Sequence, residues 1–153
     1  MNNTAITLTP SMQAQLAQGY TEDDKPAQLW TFKALAGAGA LSSNVEDMLK
    51  FVRANIENNT AISTSLKKMH APQFKGDTGI GWMQAGMIDK WIGNNSMIWH
   101  NGMVGGYASY VSIDTQAKTG LVILSNKAVD VTMLGMMLTQ TLRTQSWSPQ
   151  QVF

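Results

Sequence analysis

The sequence predicts an α+β protein in which an antiparallel β-sheet is flanked by helices. Short strand-like segments, separated by Gly, Asn and Asp, occupy residues 80–125. Amphipathic helical patterns precede this region at about residues 44–57 and follow it after Asp130. With 153 residues and 44% hydrophobic content, the chain can bury one sizeable core, so we expect a single unit over residues 1–153.

The composition limits the classes of partner and cofactor. Eleven basic and ten acidic residues give a net charge of +1 without a basic stripe, which argues against nucleic-acid binding. The longest aliphatic run, residues 121–124, is too short to span a membrane, and we expect no export signal in the polar first ten residues. Cysteine is absent, and His70 has no second ligand at metal-binding spacing. We therefore expect small molecules or other proteins as partners, and no metal or cofactor.

The first forty residues show weak periodicity. They predict loops with at most a short strand near residues 17–20. The run Ala-Gly-Ala-Gly-Ala at residues 36–40 indicates a place where two backbone segments pack closely.

Two helices are predicted next. Ser43 is expected to cap the first, with Glu46 completing a capping box. Apolar residues then recur at helical spacing, namely Val45, Met48, Leu49, Val52 and Ile56. The second helix is expected from Ile62 to about Met69, because the residue before Pro72 is disfavoured in a helix.

Five strands and a last helix complete the prediction. The strands are expected at residues 80–84, 91–92, 97–100, 107–113 and 121–125. The polar connection 114–120 ends in glycine, so the last two strands should be antiparallel neighbours. Asp130 can cap the helix, which carries one apolar stripe formed by Val131, Leu134, Met137, Leu138 and Leu142.

Residues 99–110 carry the densest chemical signal. An extended segment delivers His100 and Asn101 and then turns through glycines into another strand. Such a turn exposes backbone N–H groups beside polar side chains, an arrangement suited to stabilising an oxyanion. From spacing alone, an ordinary glycine-rich hairpin with a solvent-facing histidine has the same pattern.

A family resemblance favours the chemical interpretation. Part of the chain resembles the third active-site element of class C β-lactamases and their esterase, peptidase and carboxypeptidase relatives. The resemblance lies in Trp-His-Asn-Gly at residues 99–102, Gly-Gly-Tyr-Ala-Ser-Tyr at 105–110, Leu-Val-Ile-Leu-Ser-Asn at 121–126 and a closing helix. Residues 39–48 and Gly-Ile-Gly-Trp at 79–82 resemble the loop, helix start and strand that precede this element. The chain thus resembles the C-terminal portion of a β-lactamase/penicillin-binding-protein serine hydrolase, with the β-lactamase/transpeptidase-like fold.

The resemblance implies roles for four residues. His100, Asn101 and Gly102 would line the substrate cleft, and the backbone N–H of Met103 would be one of two oxyanion-hole donors. The implied activity is acyl-enzyme hydrolysis of a β-lactam, a D-amino-acid peptide or an ester, in a parent protein that is periplasmic or secreted. The family commonly has Lys-Thr-Gly at residues 100–102. Histidine is mostly neutral at pH 7, so recognition of a substrate carboxylate should be weaker and all three substrate classes stay open.

The nucleophile of the family is not expected in this chain. Residues 65–68, Ser-Leu-Lys-Lys, fit the Ser-x-x-Lys pattern, but they follow the loop-and-helix segment that the nucleophile precedes in the family. Lys-Thr-Gly at residues 118–120 lies in a predicted hairpin turn. Met-Asn-Asn-Thr at residues 1–4 resembles an internal position of the longer family chain. We therefore expect the serine, its lysine and the tyrosine base in a separate N-terminal portion, and an inactive isolated chain.

A non-catalytic binding or interaction module derived from the same scaffold is the alternative. Without the first strands of the family sheet, the strand at residues 121–125 should have an unpaired edge, which favours association with another chain. The expected partner is a second copy or a complementing N-terminal fragment.

Overall fold

The computed structural model describes residues 1–57, 60–73, 78–86 and 96–144. Five helices are present in this part of the chain, namely α1 (Pro10–Gln15), α2 (Ala36–Gly39), α3 (Val45–Glu57), α4 (Ser63–His70) and α5 (Thr132–Thr144). The strands are β1 (Gly19–Tyr20), β2 (Pro26–Ala27), β3 (Met83–Gln84), β4 (Met97–Val104), β5 (Tyr107–Asp114) and β6 (Thr119–Ser125). The predicted α+β class, an antiparallel sheet with flanking helices, is confirmed.

The main sheet has four antiparallel strands in the order β3-β4-β5-β6, and β1 and β2 form a separate ribbon. A two-residue turn joins β4 to β5 through Gly105 and Gly106, whose φ angles of 30° and 87° suit glycine in a tight hairpin. At the turn between β5 and β6, the Asp114 carboxylate accepts hydrogen bonds from the backbone N–H groups of Gln116 and Ala117. The predicted antiparallel pairing of the last two strands is confirmed.

The strand before β4 is shorter than predicted. β3 comprises two residues, since Gly81 has a φ of 74° and interrupts the extended backbone expected over residues 80–84. The strand predicted at residues 91–92 lies outside the described residues.

Helices cover both faces of the sheet. On one face, Val52 of α3 packs in a buried cluster with Trp82, Ile98 and Ile113. On the other face, Thr139 of α5 shares a buried hydrogen bond with Ser112 of β5. A buried apolar cluster therefore lies between α3 and the sheet, whereas α5 meets the sheet through the Tyr110 ring, the bond to Ser112 and an ion pair between Arg143 and Asp114.

Helix α3 begins one residue later than a Ser43 cap would place it. Asn44, not Ser43, caps the helix, because its side-chain oxygen accepts the N–H of Asp47. The hydroxyl of Ser43 instead lies 2.8 Å from that of Thr4. Asp47 also accepts from the backbone N–H of Asn3 and the hydroxyl of Thr4, so the N-terminal segment is tied to the start of the helix.

Three of the five residues in the apolar stripe predicted for the last helix are exposed, while Val131 and Leu142 are half-buried. Leu134, Met137 and Leu138 are 51%, 65% and 40% exposed. The sheet side of α5 instead carries Gly135, Thr139 and Arg143. The reason lies on β5, whose facing residues Tyr110, Ser112 and Asp114 need a close backbone and polar partners rather than an aliphatic surface.

The first forty residues contain more regular structure than predicted. Helix α1 begins at Pro10 and is capped by Thr9, whose hydroxyl accepts the N–H of Met12. The predicted strand near residues 17–20 is present as β1, while β2 and α2 were not predicted. The close packing of backbone segments expected at residues 36–40 is not found, because a Cβ on Gly39 would lie 3.1 Å from side-chain atoms of Phe32 and Val104, and Gly37 has nothing within 4 Å.

Candidate active site

The four residues singled out from the sequence all lie on β4, along a partly open strand edge. β3 pairs with β4 at Ile98 and Trp99. Among the described residues, nothing pairs with β4 beyond Trp99 on the side away from β5. His100, Asn101, Gly102 and Met103 therefore follow one another along an edge that a substrate can approach.

The hairpin register directs the backbone N–H of Met103 toward this open edge. In a two-residue hairpin, the residues that flank the turn, here Val104 and Tyr107, exchange both hydrogen bonds. Hydrogen-bonded and non-hydrogen-bonded pairs then alternate along an antiparallel ladder. Gly102 thus directs its backbone groups toward β5, and Met103 directs its own away from β5. Trp99, four pairs further along the ladder, directs its backbone groups the same way as Met103 and pairs with β3.

The side chains of His100 and Asn101 lie on opposite faces of the sheet. His100 is opposite Val111 on the α3 side and is exposed. Asn101 is opposite Tyr110 on the α5 side, where its amide nitrogen donates to the hydroxyl of Thr132 over 2.7 Å. The two side chains therefore cannot contact a ligand from the same face.

Thr132 links Asn101 to the start of α5. Its hydroxyl accepts from Asn101 and donates to Asp130, which also accepts the backbone N–H of Thr132. These two hydrogen bonds, from the hydroxyl first and the backbone second, lower the pKa of the Asp130 carboxyl. The sequence predicted Asp130 as a helix cap but gave no sign of the link to Asn101, because thirty-one residues separate Asn101 from Thr132.

A cleft of about 930 Å³ adjoins the Met103 end of β4. One side is the backbone of β4 and its turn from Met103 to Gly106, and the other is residues 28–32. Trp30, Met103 and Leu29 are 58%, 55% and 41% exposed, and the Trp30 and Phe32 rings lie 6.2 Å apart. Sequence reasoning missed this cleft, because residues 28–32 carry no periodic pattern and meet the turn only in the folded chain.

The two rejected motifs lie elsewhere. Ser65 and Lys68 are exposed on α4, whose buried residue is Leu66. Lys118 is exposed in the β5–β6 turn with a φ of 55°. Neither motif contributes to the lining of the cleft beside Met103.

The His70 side chain packs against Asn55 and Trp82. Its Nε2 lies 2.8 Å from the Asn55 side-chain oxygen, and its ring meets Trp82 edge to face at 5.7 Å. Burial lowers the pKa of this imidazole. Within the described ranges, no group of three His, Cys, Asp or Glu side chains is placed to hold a metal ion.

No helix among the described residues is both long and apolar enough to cross a membrane.

Comparisons with known proteins place these features in a family. A family model described as Beta-lactamase matches residues 1–142. Comparison with curated proteins gave no match.

Several solved structures are similar to the chain. A β-lactamase/D-alanine carboxypeptidase from Pseudomonas syringae has a TM-score of 0.78 and 20% identity, with 96% of this chain and 50% of that chain covered. Two class C β-lactamases have TM-scores of 0.76 and 0.78 and identities of 18% and 19%, with 95% and 93% of this chain covered. At these identities the likeness shows the fold alone. The chain spans about half the length of the structures that it matches.

Proposed function

The chain belongs to the beta-lactamase family, and on this basis we propose that it forms the oxyanion-binding and substrate-binding side of a serine acyl-transfer site. Family and fold support a serine hydrolase of β-lactamase type. In the proposed reaction, a serine hydroxyl attacks the carbonyl of a β-lactam, a D-amino-acid peptide or an ester. The leaving group departs with a proton, and water then hydrolyses the acyl-enzyme.

The direction of the Met103 N–H carries the proposal. A tetrahedral intermediate places a full negative charge on one oxygen, and a preorganised N–H donor stabilises that charge without reorganisation. The eight-residue register between β4 and β5 holds the N–H of Met103 in position. A backbone donor has no rotamers to order and does not titrate, so its contribution is independent of pH.

The neighbouring residues can contact different parts of the substrate. His100 presents its imidazole on the α3 face, and Gly102 leaves the next position on that face without a side chain. Asn101 is held by Thr132 on the opposite face through one N–H, and its amide oxygen takes no part in that bond. We assign His100 and Gly102 to the substrate face and Asn101 to the rim next to α5.

The proposal assigns the nucleophilic serine to a separate N-terminal portion, and the isolated chain is then inactive. Support comes from the matched structures, of which the chain spans about half. Further support comes from Ser65, which lies on α4 and does not line the cleft beside Met103. A periplasmic or secreted parent is part of the proposal and rests on the family.

Hydrolysis assays test this assignment. The chain, Ser65→Ala and His100→Ala are incubated with a chromogenic cephalosporin and with a short-chain nitrophenyl ester. We expect rates equal to buffer for all three proteins. Turnover that the Ser65 substitution abolishes would contradict the assignment, because it would identify Ser65 as the nucleophile.

A non-catalytic interaction module is the second candidate, and an exposed surface favours it. Met133, Leu134, Met137 and Leu138 form an exposed apolar stripe on α5. Among the described residues, β6 pairs with β5 alone, so its other edge is open. A complementing N-terminal portion or a second copy could extend the sheet at β6. Sedimentation velocity at rising concentration distinguishes a second copy from a complementing N-terminal portion. A species that stays monomeric argues against the homodimer.

A further inference from the structure

We propose that a groove between α3 and the start of β6 binds a single-chain aliphatic carboxylate of about eight carbons, such as octanoate. This α3 groove has a volume of about 640 Å³. Its lining comprises one helical stripe and two residues at the end of the sheet, namely Leu49, Val52, Arg53, Ile56 and Glu57 of α3 with Lys118 and Gly120. None of these residues lines the cleft beside Met103, so the inference does not depend on the proposed function.

The α3 wall of the groove is apolar. Leu49, Val52 and Ile56 recur at spacings of three and four residues, so their side chains lie along one face of the helix. Leu49 is 47% exposed, whereas Val52 is buried against the sheet. From Leu49 to Ile56 the helix rises by about 10 Å, which an extended chain of about eight carbons can cover. Burial of that chain against the wall favours binding.

The opposite wall offers a backbone donor at Gly120. A Cβ there would lie 2.3 Å from a methyl carbon of Val52 and 3.6 Å from one of Ile56, so the β6 backbone lies directly beside the apolar wall. Tyr107 directs its backbone groups toward β4, and the alternation along β5 and β6 then directs those of Gly120 away from β5. Among the described residues, nothing pairs with this edge of β6. The Gly120 N–H is therefore placed to donate to a carboxylate oxygen.

The charges of the lining favour an anionic head group. Arg53 and Lys118 are cationic and Glu57 is anionic, so the groove carries a net positive charge. The Nε of Arg53 is paired with the Glu57 carboxylate. Lys118 is exposed and forms no ion pair with any described residue. A carboxylate bonded to Gly120 would lie close to the Lys118 ammonium, whereas a cationic head group would be repelled by it.

Binding to the full chain tests the inference. Backbone amide signals of Val52, Ile56 and Gly120 are followed by NMR during titration with octanoate, octan-1-ol and acetate at neutral pH. We expect octanoate to move these signals with a Kd at least about threefold lower than that of octan-1-ol, because the alcohol has the chain but not the charge. Acetate has the charge but not the chain, and its Kd should be at least about tenfold higher than that of octanoate.

Two variants separate the contributions of charge and chain. Lys118→Gln removes the cation and should reduce the preference for octanoate over octan-1-ol at least about twofold. Leu49→Ala shortens the apolar wall and should raise the Kd of both eight-carbon ligands at least about threefold. The matched controls are Lys68→Gln and Leu134→Ala, which change an exposed lysine of α4 and a 51% exposed leucine of α5 outside the groove. Both controls should leave the Kd values unchanged.

Three results would each overturn the inference. Equal Kd values for octanoate and octan-1-ol would show that the charge is not recognised. Unchanged binding in Lys118→Gln or in Leu49→Ala would remove the groove as the site. Shifts confined to α5 would show that octanoate binds the other exposed apolar surface. None of these results affects the proposed hydrolase function, whose test is the hydrolysis assay with Ser65→Ala.

Discussion

The amide nitrogen of Asn101 lies 2.7 Å from the hydroxyl oxygen of Thr132, and this hydrogen bond ties the centre of β4 to the first residue of α5. Thr132 passes the interaction to Asp130 by donating its own hydroxyl hydrogen. The position of a predicted site residue therefore depends on the start of a helix thirty-one residues away.

Thr132→Val should release the Asn101 side chain. The isosteric change removes the acceptor for Asn101 and a donor to Asp130, so we expect a loss of unfolding free energy of about 1 kcal/mol and a shift of the Asn101 side-chain NH₂ signals. Urea denaturation and NMR measure the two effects. Thr141→Val is the control, since the Thr141 hydroxyl bonds to the Met137 carbonyl within the same helix. Unshifted Asn101 signals in Thr132→Val would show that the link does not hold the side chain.

Ser112 and Thr139 should be energetically coupled. Thr139 donates to the Gly135 carbonyl, so Ser112 is the donor in the 2.6 Å bond between their hydroxyls. Thr139→Val leaves the buried Ser112 hydroxyl without its acceptor and should cost about 1–3 kcal/mol, whereas Ser112→Ala should cost about 1 kcal/mol. The double variant should cost less than the sum of the two. Strict additivity in urea denaturation would contradict the coupling.

Gly135 should not tolerate alanine, although alanine favours helices. A Cβ at Gly135 would lie 2.3 Å from the Tyr110 ring, so Gly135→Ala should lower the unfolding free energy by about 1–3 kcal/mol. Gly37, also helical, has nothing within 4 Å of the corresponding position. Gly37→Ala should therefore be neutral or stabilise by up to about 1 kcal/mol. The same sign for both changes in thermal unfolding would contradict this packing between α5 and the sheet.

Stability should fall as the pH drops below the ordinary histidine pKa of 6.5. Burial lowers the pKa of His70 in the folded chain, so below pH 6.5 the unfolded chain binds more protons than the folded chain. The contribution is complete above that pH and is lost as the pH falls toward the lowered pKa. Urea midpoints between pH 8 and pH 5 should show the decline, and His70→Gln should reduce it. His100→Gln is the control and should show the same decline in stability as the parent chain. If the decline in His70→Gln also equals that of the parent chain, the effect belongs to other groups.

The sequence predicted the elements whose patterns are local. The hydrophobic spacing of α3 and α4, the alternation along β5 and the polar turn after Asp114 each involve neighbouring residues, and the corresponding elements are present. The orientation of α5 was wrong in the prediction because it depends on Tyr110 and Ser112, which lie on a distant strand. A pattern rule assumes an aliphatic sheet face, whereas β5 presents the Tyr110 ring, Ser112 and Asp114 to α5.

For the candidate site too, local features could be predicted from the sequence and tertiary contacts could not. The glycine turn and the residues around His100 could be singled out from the chain itself, and the hairpin register then followed from the turn. The partners of these residues could not be predicted from the sequence. Thr132 binds Asn101, and Trp30 lies against Gly105, because tertiary packing brings together segments whose sequences carry no mutual signal.

Amide hydrogen exchange at Met103 tests the central claim most directly. If Met103 directs its N–H to the open edge of β4, it should exchange at least about tenfold faster than the amides of Gly102 and Val104, which are paired with β5. All three amides lie in one strand of one hairpin, so local unfolding affects them together, and their ratio reports pairing. Protection of Met103 equal to that of its two neighbours would show that the N–H is already bonded, and Met103 could not then serve as an oxyanion donor.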